Sequence, residues 1–163
     1  MGSFSKRNLA EDDAEIVAEI VAERDVARSF LDLLQCEQAA LAAGDVAQVG
    51  ALAQKKSGMV TRLGELAECR RDYLLSLGFT PDHHGMEALL NTHPQAANIW
   101  HELLGLARIA QQINLTNGAI IDARLNHHRA ALAALQSAAG GASIYDASGL
   151  TRPRIGGQSL GAA

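Results

Sequence analysis

Apolar side chains recur at alternating three- and four-residue steps along most of the chain, and only two stretches interrupt that rhythm. Ile16, Ile20, Ala27, Phe30, Leu34 and Leu41 form a first row, with Glu23 and Glu37 filling two of its slots. Val49, Leu52, Val60, Leu63, Ala67, Leu74 and Leu77 form a second row, interrupted by Lys56 and Arg70. Ile99, Leu103, Leu106, Ala110, Ile113 and Ile120 open a third, which Ile121, Leu125, His128, Leu132 and Leu135 continue on a slightly rotated line. One face of an α-helix presents side chains at this spacing, whereas a strand would need strict alternation. A straight helix drifts from a seven-residue repeat in the way the third row does. Thirty alanines and 22 leucines, both strong helix formers, fit the same reading.

The interruptions set the connectivity. Gly44 can take the left-handed conformation that ends a helix. Asp45 can accept hydrogen bonds from the free N–H groups that begin the next one. So short a link makes the two helices antiparallel. Residues 78–94 contain the breakers Gly78, Pro81, Gly85 and Pro94, and 86–90 fit one short helical turn. Asn117-Gly118 would read as a hairpin turn in isolation, but helical periodicity continues on both sides, which predicts one helix with a weak point. The expected fold is therefore all-α: an antiparallel bundle of three long helices (about 14–43, 46–77 and 95–139) with a short connecting helix and a flexible C-terminal tail. Residues 1–139 make up the helical bundle, with 1–10 a disordered lead-in. Residues 140–163, with six glycines and few charges, form the tail. Lys56 and Arg70 are expected along the helix seam with their charged ends in water. Gly50, Gly58 and Gly64 fit either a close helix approach or a softened rod.

The chain carries no arrangement that catalysis would need. His101-Glu102 opens like a zinc-protease motif, but Gly105 stands where the second histidine belongs. His83-His84 and His127-His128 are adjacent pairs, and neighbouring helix residues point about 100° apart, so neither pair chelates alone. Cys36 and Cys69 have no Cys-x-x-Cys spacing and read as reduced thiols in the core or at its boundary. The reading is of a non-enzyme with no cofactor, no metal and no small-molecule substrate. The formal charge is −4, and the basic pairs Lys6-Arg7, Lys55-Lys56 and Arg70-Arg71 each have acids nearby, so no basic face for nucleic acid is expected. The chain has neither a membrane-spanning apolar run nor a secretory leader, which points to the cytoplasm. Trp100 is expected to pack the end of the bundle rather than to anchor a partner.

Helix lengths supply a functional clue. At about 1.5 Å per residue, the first two helices span about 45 and 48 Å and the third about 65 Å. The end of the third therefore outruns its neighbours, carrying Leu125, Leu132 and Leu135 with Ala131, Ala134 and Ala138 beside them. An uncovered apolar line suggests a partner, or a tail folded back over it. Ile144, Tyr145, Leu150, Ile155 and Leu160 in the tail suit a segment that orders on binding.

Four short stretches resemble one family. They are Glu37-Gln38-Ala39-Ala40-Leu41-Ala42-Ala43-Gly44-Asp45; Leu52 with Lys55 and Lys56; Asn114-Leu115-Thr116-Asn117-Gly118-Ala119-Ile120-Ile121-Asp122-Ala123-Arg124-Leu125; and Tyr145-Asp146-Ala147-Ser148-Gly149. In this order and spacing, over roughly residues 15–150, they look like the FlgN family of flagellar export chaperones. Asp146 stands where that family often has Gly, and the end after Arg152 has no clear match. The resemblance implies a cytoplasmic chaperone that binds the C-terminal helical segment of hook–filament junction (hook-associated) proteins and delivers them to the flagellar type III export gate. It implies cargo contact in the C-terminal region and a gate-docking role for Tyr145. With the uncovered line, it assigns cargo to Asn117, Ile121, Leu125, His128, Leu132, Leu135 and Ile144. The rival readings are a structural or adaptor coiled-coil protein that self-associates through its apolar stripe, and a small metalloenzyme on a four-helix theme.

Overall fold

The structure, a computed structural model, describes the backbone of residues 9–91 and 93–142, and side chains from 14 to 139 within those limits. It is all-helical, with four helices and no strand among the described residues: α1 (Leu9–Ala43), α2 (Val46–Ser76), α3 (His83–Leu90) and α4 (Pro94–Ala142). Packing divides the chain into two units, one ending at Ile121 and one beginning at Asp122.

Local chemistry sets the helix ends. Gly44 has φ 75°, which lets α1 end within one residue of the next cap. The Asp45 carboxylate accepts the Gln48 N–H at 2.9 Å and starts α2. Asp82 opens α3 in the same way, accepting the Gly85 N–H at 2.9 Å and the Thr80 hydroxyl at 2.7 Å. The Gly85 bond, then that of Thr80, holds the Asp82 carboxyl below its usual range. Gly85 is required there, because a Cβ would sit 1.9 Å from the Thr80 carbonyl oxygen. Three boundaries differ from expectation. α1 begins at Leu9, inside the stretch expected as lead-in; α3 is a full eight-residue helix rather than one turn; and α4 continues to Ala142, past the expected limit at 139. Residues 1–8, 92 and 143–163, and with them most of the expected tail, lie outside the described residues.

Within the first unit, contacts between α1 and α2 run in opposite order along the two helices: Glu23 meets Arg70 and Glu37 meets Lys56. Contacts between α1 and α4 run in the same order, Arg24 and Arg28 to Glu102 and then Leu34 to Asn117. Ile16, Ile20 and Ala27 pack with Leu74, with Met86, Leu89 and Leu90 of α3, and with Ala96, Trp100 and Leu103 of α4. A second cluster joins Leu31 and Leu34 to Ala110. Trp100 is 5% exposed, so its ring belongs to the core. α2 contributes less than its row suggested. Leu74 is its only buried residue, while Val60 and Leu77 are exposed. Nothing lies within 4 Å of a Cβ placed on Gly50, Gly58 or Gly64, so close approach does not explain those glycines.

Candidate functional site

The charged residues that broke the apolar rows find one another. Glu23 and Glu37 are separated by fourteen residues in α1, as are Lys56 and Arg70 in α2, so a single antiparallel register pairs both. Lys56 Nζ reaches Glu37 Oε2 at 2.9 Å, and Arg70 Nε reaches Glu23 Oε2 at 2.9 Å. α4 completes each tie. Asn117 Nδ2 donates to Glu37 Oε2 at 2.8 Å and to the Leu34 carbonyl at 2.9 Å. The Arg70 guanidinium lies 4.7 Å from the centre of the Trp100 ring, a cation–π distance. Each tie therefore takes one residue from each long helix. Lys56 and Arg70 do not trail into water as free ends; their charges are used.

Asn117 consequently corrects one expectation. It was assigned to cargo, but it is fully buried and bound to α1. Ala96, Leu103, Ala110 and Asn117 follow at seven-residue steps and are all buried, so Asn117 is the polar member of a core row. A polar side chain at such a position fixes alignment between helices. The equal spacing of the two acids and the two bases was the sequence signal that could have revealed these ties. Ile121, also assigned to cargo, is half-buried at the end of the first unit.

The second unit has a different character. From Asp122 to Ala139 every residue is exposed except Arg124, which is half-buried. Leu125, Leu132 and Leu135 are 46%, 58% and 66% exposed. Three large apolar side chains on one helical face, with His128 between them, make the one continuous exposed apolar row in this unit's described residues. Ile144 and Tyr145 lie outside the described residues.

The residues considered for catalysis are scattered or otherwise engaged. Glu102 pairs with Arg24 and Arg28. Cys36 and Cys69 are free and exposed rather than in the core or at its boundary. The rings of each adjacent histidine pair meet edge to face, with centroids 6.2 and 6.1 Å apart. Among the described residues no three His, Cys, Asp or Glu side chains gather as a metal site would require, and no helix is long and apolar enough to cross a membrane.

Comparison with family models gave a match to the family described as FlgN protein, over residues 12–153. The chain belongs to the FlgN family. The match takes in most of the chain, including both three-helix ties and the exposed leucines. FlgN membership carries a general role, that of a flagellar export chaperone, and the family is one of chaperones rather than of known enzymes. Comparison with curated proteins and with solved structures gave no match.

Proposed function

We propose that this FlgN-family chain is a cytoplasmic chaperone for hook–filament junction proteins, holding their C-terminal helical segment on the exposed row of α4 and delivering them to the type III export gate. In this reading the helices up to Ile121 form an antiparallel bundle that carries the row, and Ile144 adds a further cargo contact. The observation that carries the reading is the exposure of Leu125, Leu132 and Leu135 along one helix face. An amphipathic helix seats on such a face through anchors at three-, four- and seven-residue steps. Isolated exposed leucines are ordinary, but an aligned row marks an interaction surface.

The test is the affinity of the full chain for the C-terminal helical segment of a hook-associated protein. Leu132→Asp removes about 1.5–3 kcal/mol of apolar burial and adds a charge to a dry contact, so binding should weaken by about 100-fold. The substitution lies on an exposed residue, and the helical circular dichroism of the free protein should not change. Unaltered affinity would remove the cargo assignment. Tyr145 is proposed for the export gate: Tyr145→Ala should leave cargo affinity within about twofold, well under 1 kcal/mol, while lowering export in cells. Lost cargo affinity with normal gate binding would reverse that assignment.

A further inference from the structure

Resting on this reading of the α4 row, we infer that its occupant is an amphipathic helix carrying acidic residues along both edges of its apolar stripe. Leu125 and Leu132 are one heptad apart, and His128 and Leu135 follow each of them by three residues at the alternate core positions. At about 100° per residue, Arg124 and Arg129 fall on opposite edges of this row. These are the flanking positions whose charges choose the partner in paired helices. Neither arginine has an ion-pair partner among the described residues, and Arg129 is exposed. Asp122, seven residues before Arg129 and on the same edge, is the sole acid from there to Ala142.

Charge separates the candidate occupants. A second copy lying parallel on the row would bring Arg124 against Arg129 of that copy, like against like at the pairing position. The chain's own residues 143–163 carry Arg152 and Arg154 against Asp146, so they also bring net positive charge to a basic edge. From Asp122 onward the chain has four arginines and two aspartates, a formal +2, whereas the whole chain has −4. The stretch that bears the exposed leucines is thus positive in a chain that is negative overall. A helix with Asp or Glu at its edges satisfies both arginines; one with Lys or Arg is rejected by both.

The experiment uses the full chain and two synthetic helical peptides of about three heptads, each with leucine at the core positions, one with Glu and one with Lys at the edges. The wild-type chain should bind the Glu peptide about tenfold more tightly than the Lys peptide, a ratio that narrows as salt rises. Arg124→Glu with Arg129→Glu should invert the preference, and Leu132→Asp should weaken both peptides. Equal binding of the two peptides, binding of neither, or a preference that survives the charge reversal would overturn the inference. If only the charge reversal is silent while Leu132→Asp still weakens the Glu peptide and the junction-protein segment, the row stands and the charge argument alone falls. If Leu132→Asp leaves both at full affinity, the row itself falls. Sedimentation of the wild type as a dimer that Leu132→Asp dissociates would instead name a second copy. Displacement of the Glu peptide by a peptide of residues 143–163 would name the chain's own end.

Discussion

Replacing Lys56 with alanine is expected to lower the stability of the folded chain by about 3–5 kcal/mol, the cost of stranding a buried charge. Glu37 is 3% exposed and has two side-chain partners, Lys56 and Asn117. Removing the ammonium leaves this carboxylate with one amide donor, from Asn117. Lys55, next in sequence but exposed, provides the control: Lys55→Ala should stay within about 0.5 kcal/mol of the parent. The double variant Glu37→Gln with Lys56→Ala should recover at least half of the loss, because no uncompensated charge then remains inside. Urea unfolding followed by circular dichroism measures all four chains. A Lys56→Ala loss no larger than that of Lys55→Ala would show that the tie contributes nothing.

Trp100→Ala should have an effect of comparable size through different physics. The ring is 5% exposed and packs in the cluster built from Ile16, Ile20, Leu74, Met86, Leu89 and Leu90. Truncating a buried aromatic to alanine costs about 3–5 kcal/mol, through lost transfer free energy and the cavity left behind. Here it also strips Arg70 of the aromatic face at 4.7 Å, while leaving its bond to Glu23. A fall in midpoint temperature of about 10 °C or more is expected for a chain of this length. Trp100→Phe keeps most of the volume and should lose less than half as much. Because Trp100 is the chain's single tryptophan, the melts are read by circular dichroism rather than fluorescence. A Trp100→Ala chain that melts with the parent would return Trp100 to the candidates for partner contact.

Three long helices, the short connector and the Gly44-Asp45 turn were all legible, because periodicity and caps are local signals. Depth was not local. Val60 and Leu77 share the period of Leu74, but period assigns a face and not the presence of a neighbour. Asn117 was misread for a related reason. Its seven-residue step after Ala96, Leu103 and Ala110 lies in the sequence, but a polar side chain there says nothing of depth until its bonds to Glu37 and the Leu34 carbonyl are seen. The four off-pattern charges were each visible as interruptions, but pairing them needed the register between two helices, which their equal spacing encodes. Leu125, Leu132 and Leu135 were legible as a row from their period, while the depth at which each lies had to be read from the structure.

The tie at Glu37, Lys56 and Asn117 has one more consequence. An amide side chain offers a donor at one end and an acceptor at the other, and the Asn117 oxygen has no hydrogen-bond partner among the described residues. Were acid and base to trade helices, half a turn about the last torsion of Asn117 would present oxygen to the ammonium, but it would also set that oxygen against the Leu34 carbonyl, which now accepts from Nδ2 at 2.9 Å. The joint therefore has a fixed polarity: its electrical sense cannot be exchanged without giving up the bond by which α4 holds the backbone of α1.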